Sequence, residues 1–126
     1  MPKPVITILV PMYNEESVLP LLYDELNKVT ASLKKYDFTY LFVDDGSRDA
    51  SLSIVKNFAA NDKRVSYLGL SRNFGKERAL LAGFDHVTGD AVVVIDADLQ
   101  DPPQMIGEML SYWEQGYQDV YAQRLS

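Results

Sequence analysis

Short runs of consecutive apolar residues alternate along the chain with stretches in which apolar residues return every third or fourth position, a pattern of buried strands between amphipathic helices. Residues 5–10, VITILV, form the first predicted strand, which Pro11 ends. Val18, Leu22, Leu26, Val29 and Leu33 then recur at helical spacing, and Pro20 is tolerable only in the first turn of a helix that begins near Ser17. Residues 40–43 are a second strand, and Leu52, Val55, Phe58 and Ala59 mark a second helix with Asp49 as its cap. After a third strand over residues 65–70, Leu80, Gly83, Phe84 and Val87 give the inner face of a helix closed by Gly89. Residues 91–95, AVVVI, read as a strand buried on both faces. Ile106, Met109, Leu110 and Trp113 point a fourth helix inward, with Asp101 as its cap and Pro102 and Pro103 in its first turn. Residues 119–122 begin a further strand.

Strands of this length separated by helices imply right-handed crossovers, hence an α/β fold, a Rossmann-like parallel sheet with helices on both faces. Linkers, repeats and low-complexity segments are absent, so residues 1–126 read as one domain at most. The polar residues fall unevenly. Asn14 and Glu15 follow the first strand, Asp44 and Asp45 the second, Arg72 and Asn73 the third, and Asp96, Asp98, Gln100 and Asp101 the fourth. In a parallel sheet these loops share the carboxyl edge, where open α/β sheets bind ligands. The opposite loops, Lys35-Tyr36-Asp37 and Asn61-Asp62-Lys63-Arg64, read as ordinary surface turns.

The fourth strand delivers acid to one point. A DxD in isolation is more often a solvated turn with a capping residue. Here Asp96 prolongs a strand with no polar face, so its charge emerges where it needs a counter-charge or water. Carboxylates in alternate positions, with an amide two residues on, offer hard oxygen ligands that suit Mg²⁺ or Mn²⁺, held by Asp96, Asp98 and Gln100. The chain has no Cys and one His, His86, so a zinc site has almost nothing to be built from. Such an ion keeps positions open that phosphate oxygens commonly fill.

Charge narrows the partner. The formal net charge is −6 without a basic run, a poor match for nucleic acid, so an anionic ligand must arrive with a metal or meet a locally positive spot. Absence of Cys fits a reducing compartment, no apolar run reaches the ~20 residues that span a bilayer, and the amino terminus is too short in apolar residues for a signal peptide.

The remaining motifs have two readings each. Asp44-Asp45-Gly46-Ser47 is a turn with a cap, or places Asp44 to accept from a base or ribose. Tyr13 packs, or stacks on a base; Asn73 with Gly75 forms a tight turn; Lys76 or Arg72 brings positive charge to phosphates, or is a solvated helix charge. His86 reads as a surface residue at a helix end, and Tyr112 with Trp113 as core. No GxGxxG follows the first strand, which disfavours a dehydrogenase.

PMYNEE, VDDGSRD, NFGKE, DADLQDPP and VYAQR, in this order, resemble the nucleotide-binding half of glycosyltransferase family 2, which has the GT-A fold. DADLQDPP with NFGKE is most similar to the polyprenyl-phosphate hexose synthases, the dolichyl-phosphate mannose synthase and bactoprenol glucosyltransferase group. The resemblance implies that Pro11, Tyr13, Asn14 and Glu15 line the nucleoside pocket with Val43, Asp44 and Asp45, and that Asn73 and Lys76 lie on the donor. Asp96 and Asp98 would be the catalytic pair, Asp96 touching ribose, sugar or metal, Ala97 passing its backbone beside the diphosphate, and Arg124 contacting the phosphates.

It implies a metal-dependent, inverting transfer of a hexose from a UDP- or GDP-sugar to a polyprenyl phosphate, at the cytoplasmic face of a membrane. The alternatives are a family member acting on a saccharide hydroxyl, a nucleotidyltransferase, for which the glycine-rich basic loop is missing, and a non-catalytic nucleotide-binding module. Family members continue well past this length with acceptor-binding and often membrane-spanning parts. The chain is therefore expected to bind donor without transferring sugar, and to self-associate through apolar surface near Val120 and Tyr121.

Overall fold

A computed structural model describes residues 3–87, 89–97 and 103–116. Strands and helices alternate: β1 (Val5–Met12), α1 (Leu19–Ser32), β2 (Asp37–Asp44), α2 (Ser51–Asn61), β3 (Val65–Gly69), α3 (Lys76–Phe84), β4 (Ala91–Val94) and α4 (Met105–Glu114). The strands form one parallel sheet in the order β3-β2-β1-β4. This is the expected Rossmann-like α/β arrangement. Residues 119–122, the expected further strand, lie outside the described residues.

The β-branched runs make the central strands, and the two faces of the sheet are covered unequally. Ile6, Ile8, Val10 and Met12 of β1, with Phe38, Tyr40 and Phe42 of β2, pack under Leu19, Leu22 and Leu26 of α1, Val55 of α2 and Ile106, Met109 and Leu110 of α4. Among the described residues the other face is covered by α3, with Ala79 against Leu9, Leu41 and Val43. Toward the amino ends of β1 and β2 on that face, Thr7 and Thr39, paired in register, hydrogen-bond through their hydroxyls at 3.1 Å. Pro20 lies in the first turn of α1, as its missing N–H requires.

Several expectations need correction. β2 begins at Asp37 rather than residue 40, and Tyr36 is buried, so Lys35-Tyr36-Asp37 is no ordinary turn; Tyr36, Phe38, Tyr40 and Phe42 are an alternating series facing the three-helix side. Asn61-Asp62-Lys63-Arg64 is likewise an anchored corner, with Arg64 bound to Asp62 and Asn27 and lying over the Tyr40 ring.

On α3 the buried seam is Ala79 and Gly83, and Phe84 is exposed; the small residues bring the helix close to the sheet, and a phenyl ring on that seam would hold it away. Gly89 does not close α3, which ends at Phe84; it lies against β1, where a Cβ would stand 2.7 Å from the Val5 carbonyl oxygen. Trp113 packs on the core but Tyr112 is exposed. The cap position of α4 is Gln104, while Asp101 lies outside the described residues, and that of α2 is Ala50, although Asp49 Oδ1 does accept the Ser51 N–H at 2.9 Å. β4 buries Val93, while Ala91, Val92 and Val94 are only partly covered, so it is not enclosed on both faces. His86 is exposed, its Nδ1 2.8 Å from the Ala82 carbonyl oxygen.

Candidate functional site

Parallel register brings the strand ends to one edge. Met12 pairs with Asp44 and Asp44 with Gly69, while the Ile95 N–H donates to the Leu9 carbonyl, so the chain leaves β4 beside the end of β1. A cleft of about 290 Å³ opens there. It gathers the predicted residues Pro11, Tyr13, Glu15, Asp45, Lys76, Asp96 and Ala97, together with Met12 and Ala79, which the sequence reading missed. Met12 and Ala79 look like core by composition, and their place on the wall follows from where β1 and α3 end.

Four predicted residues do not line the cleft: Asn14 and Asn73, which are exposed, and Val43 and Asp44, which are buried. Val43 is fully buried under α3, and Asp44, also buried, accepts the Ser47 N–H at 3.2 and 3.3 Å in a turn. Asp98, Gln100 and Arg124 lie outside the described residues.

The first two loops are laced together. Asn14, in the left-handed region at φ 53, donates its amide to Ser47 Oγ at 2.8 Å and accepts the Arg48 N–H on Oδ1 at 2.9 Å. The Glu15 N–H donates to Ser51 Oγ at 2.8 Å and the Glu16 N–H to Asp49 Oδ2 at 3.1 Å, while Glu16 Oε2 accepts the Ala50 N–H at 3.2 Å. Burial opposes ionisation of Asp49, but hydrogen bonds from Ser51 and the Glu16 amide outweigh it and hold the carboxyl below its usual value. Asparagine tolerates the left-handed conformation better than most residues, so this position suits it.

Asp45 carries the lacing to the third loop, accepting the Phe74 N–H at 2.9 Å and the Gly75 N–H at 3.1 Å, while its own amide donates to the Met12 carbonyl. The loops pass so closely that a Cβ on Gly46, itself at φ +74, would lie 2.3 Å from the Arg72 carbonyl carbon. Gly75 at φ +103 turns the chain into α3. Arg72 lies over the Phe74 ring, 4.7 Å from its centroid.

Across the cleft Lys76 Nζ meets Asp96 Oδ2 at 2.6 Å. This is the counter-charge that the end of the fourth strand requires. A lysine in the first turn of a helix opposes the helix dipole, and a half-exposed pair of this kind contributes about 0–1 kcal/mol, so the pair balances the Asp96 charge while adding little stability. The arrangement offers a mobile ammonium and a carboxylate on opposite sides of one opening, with an exposed phenol, Tyr13, at its rim. Among the described residues no three acidic or histidine side chains cluster as a metal site. Asp96, a hard oxygen donor opening on the cleft, is still the kind of ligand that Mg²⁺ or Mn²⁺ takes in small number.

A model of the family described as glycosyl transferase family 2 matches residues 7–126. An uncharacterized glycosyltransferase, YkcC, of Bacillus subtilis is 48% identical over 118 residues, which are 94% of this chain and 36% of the relative. A bactoprenol glucosyl transferase of Shigella phage SfX is 44% identical over 119 residues, 94% of this chain and 39% of its own length. The chain thus spans little more than a third of these relatives.

Among solved structures, the mannosyltransferase PcManGT from Pyrobaculum calidifontis, in complex with GDP-Man and Mn²⁺, superposes with a TM-score of 0.67 at 28% identity, covering 78% of this chain and 28% of that one. S. aureus TarS 1-349 in complex with UDP superposes at 0.62 and 25% identity, covering 83% and 32%. With the family model spanning nearly the whole chain and the sheet matching that of GT-A glycosyltransferases, the chain belongs to glycosyl transferase family 2.

Proposed function

We propose that this chain is the donor-binding part of a polyprenyl-phosphate hexosyltransferase working at the cytoplasmic face of a membrane, with the acceptor site outside these residues. The observation that carries the reading is the Lys76 ammonium facing the Asp96 carboxylate across a cleft that Tyr13 and Glu15 also line. The names of the bactoprenol glucosyl transferase relatives and the GDP-Man and Mn²⁺ of the solved neighbour support it. Among the described residues no helix is long and apolar enough to cross a membrane.

In the proposed reaction the acceptor phosphate oxygen attacks the anomeric carbon of a UDP- or GDP-hexose from the face opposite the leaving group. The bond from that carbon to the diphosphate oxygen breaks with its electron pair, and configuration inverts. A polyprenyl phosphate is anionic at neutral pH, so no side chain has to remove a proton from it. Tyr13 and Glu15 hold the nucleoside end, and Lys76 exchanges Asp96 for the donor phosphates, where its charge opposes the negative charge that grows on the leaving diphosphate. Asn14, Val43, Asp44 and Asn73 support the loops around the cleft without lining it. Asp96, with Asp98 and Gln100, would hold the Mg²⁺ or Mn²⁺, which when bound adds Lewis-acid stabilisation of the same leaving group.

A thermal-shift panel of UDP, GDP, UDP-glucose and GDP-mannose, each with and without Mn²⁺, tests the reading. One nucleotide series should raise the melting temperature, and more so with Mn²⁺; binding at 100 times the dissociation constant adds about 2.7 kcal/mol. No shift with any of the four would overturn it.

A further inference from the structure

Three consecutive amides of the first loop, those of Asn14, Glu15 and Glu16, donate to side-chain oxygens of Ser47, Ser51 and Asp49 in the second. The middle bond reaches deepest. Ser51 is fully buried at the start of α2, and its Oγ takes the Glu15 N–H at 2.8 Å. Its hydroxyl also hydrogen-bonds with the Asp49 carboxyl group, which accepts the Ser51 N–H on Oδ1 at 2.9 Å and the Glu16 N–H on Oδ2 at 3.1 Å. A hydroxyl has one proton and a carboxylate none, so the chain runs from the Glu15 N–H to Ser51 Oγ and from the Ser51 O–H to Asp49. Each bond in such a chain strengthens the next. The Glu15 carbonyl is tied as well, accepting the N–H groups of Val18 and Leu19, each at 3.0 Å. With its N–H and its carbonyl both held, Glu15 has a fixed place on the cleft wall that it helps to line.

We propose that Ser51 is a positioning residue for Glu15: backed by Asp49, it sets where the Glu15 side chain stands at the nucleoside end of the cleft, which Ser51 itself does not line. The inference rests on the reading that Glu15 holds the nucleoside and Lys76 the donor phosphates. Alanine at position 51 removes the acceptor, leaves the Glu15 N–H facing a methyl group, and releases the loop at that residue.

The test measures the affinities of UDP and GDP in Mn²⁺, with urea unfolding beside them, on Ser51→Ala, Glu15→Ala, Lys76→Ala and the two double variants that contain Ser51→Ala. Glu15→Ala and Lys76→Ala should each weaken the bound nucleotide about tenfold, the effect of removing one hydrogen bond to a charged group. Ser51→Ala should weaken it about three- to tenfold. Beside Lys76→Ala that loss should persist in full, because the two act at different ends of the ligand. Beside Glu15→Ala it should vanish, while the stability cost of Ser51→Ala remains, since the backbone N–H at position 15 is still there. A side chain that merely stabilises the fold would leave the affinity of the folded chain unchanged.

Unchanged affinity in Ser51→Ala, or a loss that adds to that of Glu15→Ala, would overturn the inference while leaving the function intact. Undiminished binding by Glu15→Ala would take the nucleoside from Glu15 and the inference with it, whereas failure of the unaltered chain to bind either nucleotide would remove the donor site itself. Should Ser51→Ala fail to fold, hydrogen exchange in the unaltered chain decides: the Glu15 amide should be protected like those of the sheet, and rapid exchange there excludes the hold on Glu15.

Discussion

The two edges of the sheet each carry one prominent ion pair, and the pairs are built differently. At the amino edge Arg64 lies over the Tyr40 ring at 5.1 Å, bonds both oxygens of Asp62 and reaches Asn27, and the Tyr23 hydroxyl donates to Asp62 at 2.5 Å. Its hydrogen bonds with Arg64 hold the Asp62 carboxyl far below the carboxylate range and raise the guanidinium in turn. At the carboxyl edge Lys76 makes one contact to one oxygen of Asp96, with the ammonium side chain 57% exposed. The first pair uses a planar, bidentate, stacked cation held by several partners at once. The second uses a mobile point charge, which a phosphate can take over. An ion pair is structure where several partners hold it at once, and a site where its one partner can be exchanged.

The largest effect should come from breaking the bidentate Arg64–Asp62 pair. Arg64→Ala leaves Asp62, only 12% exposed in its side chain, without its main donor and takes the cation from Tyr40; about 2 kcal/mol of stability should be lost in urea unfolding. UDP and GDP affinities of the folded variant should stay within about twofold, since the pair lies at the edge away from the cleft. A larger binding loss would show that the two edges are coupled and break the comparison.

Asp96→Asn should do the reverse. Stability should change by about 0.5 kcal/mol or less, as for exposed pairs generally, while Mn²⁺-dependent UDP or GDP binding falls about tenfold. A stability loss near that of Arg64→Ala would make the Lys76 pair structural.

Acid separates the edges again. Asp62 has its folded-state pKa depressed below the ordinary 3.8, so its contribution is complete above about pH 5 and fades as pH falls further. The stability gap between the unaltered chain and Arg64→Ala should therefore be constant from neutrality to about pH 5 and narrow steadily below it. A gap that stays constant down to pH 3 would place the effect of Arg64 in its stacking on Tyr40 and not in its charge pairing with Asp62.

The strand-helix alternation was legible because buried strands need unbroken apolar runs, and the convergence of loops followed from parallel register alone. Tyr36 and Phe38 were missed: they start an every-second-residue aromatic series, but Lys35 and Asp37 beside them made the segment read as a turn. The seam of α3 was misread because large residues usually face inward, whereas Ala79 and Gly83 permit a close approach that no local rule announces. Least legible were the roles of Asn14, Asp44 and Asp45. Their residue types suit ligands and backbone amides equally, and the amides that engage Asn14 and Asp45 come from loops about thirty residues away. At Asp44 the partner is three residues on, and only the backbone conformation selects it.

The smallest effect tests whether the amino edge is held by polar contacts beyond the Arg64 corner. Tyr36 is buried beside Phe38, their rings 6.1 Å apart and steeply inclined, and its hydroxyl hydrogen-bonds with Glu114 of α4, which also lies 3.9 Å from Lys35. Burial, and then the hydrogen bond to the Glu114 carboxylate, pushes the phenol up to about 12. Because the folded-state value exceeds the ordinary 10, the contribution is fully present below pH 10 and is lost as pH rises toward 12. Tyr36→Phe keeps the ring and removes only the hydroxyl, so at pH 8 it should cost about 0.5–1 kcal/mol in urea unfolding. Between pH 10 and about 12 the unaltered chain should lose stability toward the variant, which has no proton to give up there. An equal gap at pH 8 and pH 11 would mean that the hydroxyl is hydrated and α4 is held by its apolar face alone, leaving the Arg64 corner as the amino edge's polar anchor.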